Sequence, residues 1–233
     1  MTGSGMSPDR VDGPEQFLRF IVNRRSAVGE FDDRRIAAET LAAIVRCGLS
    51  APSSKNASPW KLHVVSNADT LGEIADAVEH APDADMYAPS DPSTGHLREW
   101  SSTVAESADF LRHAGAAIFV ENRGAFSNGR VALEQTKAAR MADALVGYTF
   151  EVLGIGAAVQ NMLLAAGALG LHGRYMGDVV VAEDFITHRL AIEVDLVGVL
   201  IFGYSDVCLP PRRHRADDPR FAVWHDMSPP AES

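Results

Sequence analysis

From Ser50 to Trp60 the chain reads Ser-Ala-Pro-Ser-Ser-Lys-Asn-Ala-Ser-Pro-Trp. Pro52 and Pro59 fix two φ angles, so the hydroxyls of Ser53 and Ser54, the Asn56 amide and the N–H groups between them are held for a planar polar ligand at small ordering cost. A well-capped connection between a helix and a strand would use the same residues, and this segment alone does not separate the two readings. A second polar cluster, Asn23-Arg24-Arg25-Ser26, closes an amphipathic helix upstream. Paired arginines are usually a solvated helix end, yet two forked guanidinium donors beside a hydroxyl also supply the charge-assisted hydrogen bonds that a phosphate needs. Near the C-terminus, Pro210-Pro211-Arg212-Arg213-His214-Arg215 places Arg213 and Arg215 on one side if that segment is extended.

Composition narrows the chemistry. A formal net charge of -10 argues against a nucleic-acid partner, so an anionic ligand must meet a local basic cluster such as these. Eight histidines are scattered without His-x-x-x-His or Glu-x-x-His spacing, and metal chemistry is not indicated. Cys47 and Cys208 form no framework and read as small packing residues. Gly154-Ile155-Gly156 lies inside a helical run with no strand before it, which speaks for close helix packing and against a dinucleotide fingerprint. No apolar run reaches the roughly 18 residues of a membrane span. The start Met1-Thr2-Gly3-Ser4-Gly5 lacks the features of a signal peptide. The expectation is a cytoplasmic protein with no membrane partner.

The elements that must position these residues follow from pattern. Residues 1–11 are small and polar and read as disordered; residues 12–233 read as one domain. Helices are expected from Pro14 to about Asn23 and from Ala37 to Leu49, then a strand over Lys61–Val65 and a helix capped by Asn67. Around residues 81–100 the composition turns to Pro, Asp and Ser, a lid-like surface excursion. A helix to about His113 leads into a strand at Ala116–Val120, and residues 131–169 are expected as helix, apolar almost all round after Leu153. Burial of such a helix between two subunits points to an intimate homodimer. Arg174–Met176 reads as a short strand, Glu183–Ile192 as a helix, and Leu196–Gly203 as the most apolar strand, which belongs in the middle of the sheet.

Taken together, Arg24-Arg25-Ser26, Phe31-Asp32, Ala51-Pro52-Ser53-Ser54-Lys55-Asn56 with Pro59-Trp60, the apolar run Ala158–Ala166 and Gly203-Tyr204 resemble the FMN-dependent nitroreductase family over about residues 14–225. The resemblance implies an α+β, three-layer fold: a central mixed β-sheet flanked by helices, in an intertwined homodimer with a C-terminal arm. It also implies FMN as cofactor, NADPH or NADH as co-substrate, and ping-pong hydride transfer through flavin N5 to a small aromatic acceptor, a nitroaromatic or quinone. Arg24, Arg25, Ser26, Arg213 and Arg215 would hold the phosphate side. Pro52, Ser53, Ser54 and Asn56 would reach the flavin edge of the other subunit, and Met176 with Gly177 would cover its buried face with a backbone N–H near N5. No protein side chain is then needed as nucleophile or base, and Trp100 and Phe126 are candidates for stacking on the acceptor. A flavin-fragmenting oxygenase and a non-catalytic flavin or deazaflavin binder share the fold and stay open.

The sequence departs from the family at one informative point. Ser26 is followed by Ala27, Val28, Gly29 and Glu30, without the basic residue that relatives commonly carry two after the serine. Arg130, Lys137 and Arg140 are the alternative suppliers of that charge. Ser58 stands where Gln is frequent.

Overall fold

The computed structural model describes residues 13–27, 31–82, 84, 102–207, 223 and 225. The chain divides into two compact units, one of Met1–Asp9 with Ser26–Val207 and the other of Arg10–Arg25 with Cys208–Ser233. In the smaller unit, helix α1 spans Pro14–Asn23. Proline opens it where its missing N–H is no loss. No residue of α1 is buried, and Phe17, Leu18 and Val22 are exposed.

The larger unit is built on four strands, β1 (Trp60–Val65), β2 (Ala116–Asn122), β3 (His172–Met176) and β4 (Asp195–Gly203), in the order β1-β2-β4-β3. Strand β4 is interior, as its apolar run demands. A mixed sheet was the expectation; among the described residues all three pairings are antiparallel. Between β1 and β2 the reason is visible. Helices α3 (Ala68–Glu79) and α4 (Val104–Arg112) pack on each other, so the chain runs out and back and re-enters at the end it left.

Strand alternation sends two sets of side chains to two cores. Ala117, Phe119, Val199 and Ile201 meet α3, α4, a 3-10 turn over Asp178–Ala182 and helix α7 (Glu183–Leu190). Ile118, Val120, Leu200 and Phe202 meet α2 (Ala38–Leu49) and the long helix α6 (Ala138–Ala168). Each such large side chain taken out of water contributes about 1.5–3 kcal/mol. The result is three layers, helices on both faces of a central sheet. A bulge at Val197 shifts the register between Val120 and Glu121, which is why Leu196 shares a face with Val199.

Helix α6 departs from expectation in where it starts. It begins only at Ala138, because a separate short helix α5 (Arg130–Glu134) ends in a turn in which Thr136 Oγ1 donates to the Ala132 carbonyl and Lys137 is extended. Its one buried face (Gly154, Ile155, Ala158, Met162, Leu163, Ala166) lies on the sheet and α2, while Leu145, Val146, Phe150 and Leu153 are exposed. By length and composition α6 could cross a membrane. Its packing in the core and the fully buried Glu151 at its middle are features of a domain's central helix. Gly48 of α2 allows the closest approach: a Cβ there would stand 2.7 Å from Met162 Cγ. Cys47, expected as a packing residue, is exposed instead, since Gly48 occupies the inward position beside it. Helix α7 stops at Leu190, two residues early, where Ala191 turns left-handed at φ 52°.

Candidate functional site

The Pro-Ser loop is strained where it carries its polar groups. Lys55, Asn56 and Ser58 have φ of 50°, 58° and 45°, the left-handed region that only asparagine among them favours. Such residues cost on the order of 1–3 kcal/mol each and persist where surrounding structure imposes them. Here Ser53 imposes them: its carbonyl accepts from Asn56 N at 3.1 Å and its Oγ from Ser58 N at 3.0 Å. Pro52 and Asn56 are exposed and Ser53 and Ser54 half-buried, so the loop presents its amide and backbone outward. Beneath it, Gly154 of α6 admits Ser53 Cβ and Pro59 Cγ, each 3.3 Å from where a side chain would begin. The Gly154 position is thus a packing glycine, as the sequence suggested.

Arg24 and Arg25 follow α1 in the smaller unit, Arg24 half-buried and Arg25 exposed. Ser26 opens the larger unit with an exposed side chain, and the next residue, Ala27, is buried and donates its N–H to the Gly173 carbonyl of edge strand β3 at 3.0 Å. Phe31 and Asp32 lock onto Gly203 and Tyr204. The Phe31 ring lies where a Cβ on Gly203 would intrude at 2.4 Å, and Asp32 N donates to the Tyr204 carbonyl at 2.9 Å.

At the end of β3, Met176 turns its side chain into the core shared with α3, α4 and α7, leaving only its backbone for a ligand. The bulge in β4 fits this strand end. A Cβ on Gly198 would meet the Met176 carbonyl at 2.7 Å, and Tyr175 Oη donates to the freed Val197 carbonyl at 2.9 Å. Gly177 is half-buried, and Asp178 ties the turn to α4 by accepting from Thr103 Oγ1 at 2.8 Å and Ser107 Oγ at 2.9 Å.

Ser26 and Gly177 therefore belong to the β3 edge, whereas Ser53, Ser54 and Asn56 precede β1 at the other edge. Three inter-strand steps separate these edges, about 14 Å in all. One chain does not unite the two groups. Trp100, Arg213, Arg215, Val28 and Cys208 lie outside the described residues. Lys137 and Arg140 are exposed. Arg130 is already engaged, its guanidinium donating to Glu183 and to the Leu196 carbonyl.

Several residues that shape this end of the sheet escaped sequence reading. The carboxylate of Glu151 accepts from Asn122 Nδ2 at 2.9 Å, Ser127 Oγ at 2.7 Å, and the N–H groups of Phe126 and Ser127 at 2.5 and 2.7 Å. Burial raises its pKa, and these hydrogen bonds more than reverse that, holding the group below the usual carboxylate range. The available signal was a lone charge in the 144–168 part of α6, which is otherwise without charged residues. Phe126, expected as a stacking residue, is half-buried and meets Phe150 edge-on, with ring centroids 6.2 Å apart.

Residues 21–204 match the model of the nitroreductase family. The chain belongs to the nitroreductase family. No curated protein matches it in sequence. Among solved structures it is similar to a nitroreductase with bound FMN from Desulfitobacterium hafniense, at 16% identity and a TM-score of 0.62 over 90% of this chain and 98% of that one. An FMN-dependent nitroreductase from Clostridium difficile gives 18% identity and a TM-score of 0.59, covering 90% of this chain and 99% of that one. The NADPH:FMN oxidoreductase of Vibrio harveyi, complexed with NAD+, gives 16% and 0.61, covering 93% of this chain and 79% of that one. At these identities the structural likeness establishes the shared fold.

Proposed function

We propose that the protein is a homodimeric, FMN-dependent NAD(P)H oxidoreductase. The observation that carries this reading is the separation of the two polar groups to opposite edges of one sheet, in a chain that leaves an apolar face of its central helix uncovered. A second copy covering Leu145, Val146, Phe150 and Leu153 would bring one chain's Pro-Ser loop to the other chain's β3 edge and complete each site.

The residues present fit FMN. Arg24 with Arg25 and the Ser26 hydroxyl form a donor set suited to its phosphate, with Arg213 and Arg215 as further cations. The strained loop offers the Asn56 amide and the hydroxyls of Ser53 and Ser54 for the polar edge of its ring, and the Met176-Gly177 backbone would lie along the opposite side. When bound, FMN would supply hydride-transfer chemistry between NAD(P)H and a nitroaromatic or quinone acceptor. The chain's task is to bind, orient and keep water from this ring. It need not supply a nucleophile or general base. Met176 and the bulge at Gly198 brace the β3 edge, and Phe126 stands beside the Pro-Ser loop where an aromatic acceptor would stack.

Anaerobic addition of NADPH or NADH to the FMN-loaded protein should bleach the flavin absorbance, and a quinone should restore it. Loss of flavin in air would instead identify a flavin-fragmenting oxygenase, and absence of bleaching a flavin binder. Arg24→Ala should retain the fold and weaken FMN binding by about ten- to a hundredfold, the cost of one charged hydrogen-bonding partner. Unchanged FMN affinity would overturn the phosphate assignment.

A further inference from the structure

Four positions on one stripe of α6, Gly147, Phe150, Glu151 and Gly154, carry two loops side by side. Gly154 seats Ser53 and Pro59, and Gly147 seats Phe126, whose Cβ would be 3.2 Å from a side chain there. Arg123 joins the loops, its N–H donating to the Pro59 carbonyl at 2.7 Å. Four hydrogen bonds from the 122–127 segment converge on Glu151. Oε1 accepts the two successive N–H groups of Phe126 and Ser127, and Oε2 accepts from Asn122 and the Ser127 hydroxyl. The same two side chains order the rest of the turn, Asn122 Oδ1 accepting from Gly124 N and Ser127 Oγ from Gly129 N, both at 3.0 Å. Only a carboxylate satisfies this set. A carboxamide of the same shape would present N–H groups to N–H groups at one end.

We propose that Glu151 is a positioning residue for the electron acceptor: by fixing the backbone of Phe126 against Phe150 it builds an aromatic wall beside the Pro-Ser loop and sets the affinity for planar aromatic acceptors. This rests on the oxidoreductase reading above. The wall and Ser53 are seated on the same helix at Gly147 and Gly154, seven residues or about 10 Å apart, so α6 fixes the placement of one relative to the other. A small inorganic oxidant makes no use of such a wall.

The test is Glu151→Gln in the FMN-loaded protein. KM for menadione should rise at least tenfold, against no more than a twofold change in the rate of flavin reduction by NAD(P)H and in KM for ferricyanide. Independently of turnover, amide deuterium uptake over residues 123–129 should rise at least tenfold while the 155–166 part of α6 keeps its protection. Phe126→Leu should reproduce the menadione effect without the exchange effect. If Glu151→Gln does not fold, Ser127→Ala removes two of the contacts and should give both effects in smaller measure. An unmoved menadione KM together with faster exchange overturns the inference and leaves the functional reading standing. Unchanged exchange overturns the anchoring itself. Failure of the wild-type protein to be reduced by either nicotinamide overturns the functional reading and this inference with it.

Discussion

Glu121 and Glu151 are buried carboxylates on opposite faces of the same sheet, and they are held in opposite ways. Glu151 is bound entirely by neutral donors, two backbone N–H groups and a hydroxyl from the loop after β2 and the amide of Asn122 at the end of that strand. Glu121, on β2, is bound by the His63 imidazole at 2.7 Å, by the Lys61 ammonium at 3.5 Å and by the N–H of Glu193 at 3.1 Å. Lys61 is itself shared with Glu193 at the surface. Neutral donors that belong to a loop backbone cannot turn away to water, so the Glu151 charge fixes a conformation. Two of the three partners of Glu121, His63 and Lys61, are side chains on edge strand β1, and they can rearrange.

The largest expected difference follows directly. Glu151→Leu strands four buried donors and should cost about 3–5 kcal/mol of unfolding free energy, the range for removing one member of a buried charged set. Glu121→Leu frees His63 and Lys61 to find water and should cost about 1–2 kcal/mol. Urea unfolding of the two variants decides it, and equal losses would mean that burial alone, and not the nature of the donors, sets the cost.

Acid sharpens the same contrast. For Glu121 as for Glu151, burial raises the pKa, and hydrogen bonds, led by His63 in one and Asn122 in the other, bring it below the ordinary value. A carboxylate depressed in the folded state stabilises it fully above its unfolded value, about 4.3. That stability is lost as pH falls through the lower folded value. Wild-type stability should therefore fall below about pH 4.3. Glu151→Gln should lower the neutral plateau and flatten this acid limb. Chemical unfolding between pH 3 and 7 measures both, and an unaltered acid limb would show that Glu151 is not ionised in the fold.

How far the sequence anticipates all this depends on whether a residue's role is local. The strands, the Asn67 cap, which accepts from Thr70 N at 2.8 Å, and the interior place of β4 follow from periodicity and capping chemistry near each residue. The Pro-Ser loop was visible because prolines and small polar residues are local turn chemistry. The strain at Lys55 and Ser58 was not, because it is imposed by Ser53 and by packing on Gly154. Strand direction, the bulge at Val197 and the Glu151 network depend on partners far along the chain. Asn122 and Glu151 meet only because β2 and α6 cross there. One solitary charge in the long uncharged stretch of a helix is a signal of such a network, but it does not name the partners.

A third carboxylate separates the two causes that Glu121 and Glu151 leave entangled. Asp178 is bound like Glu151 by neutral donors, the hydroxyls of Thr103 and Ser107, but it is half-buried and its Thr103 donor sits on an exposed residue. If donor type sets the energetic cost, Asp178→Ala should be nearly as damaging as Glu151→Leu. If the loss reflects donors with no route to water, the cost should be intermediate, because the exposed Thr103 can be solvated whereas Ser107 is buried. The second follows from the structure: about 1–2 kcal/mol in unfolding free energy, the cost of one buried hydroxyl left without its acceptor. The turn it anchors carries Gly177, so a modest weakening of FMN binding, a few-fold in Kd, should accompany the intermediate loss of stability. A titration of FMN fluorescence against the variant measures that shift. A loss approaching 3 kcal/mol, on the scale expected for a buried charged set, would return the argument to the donors.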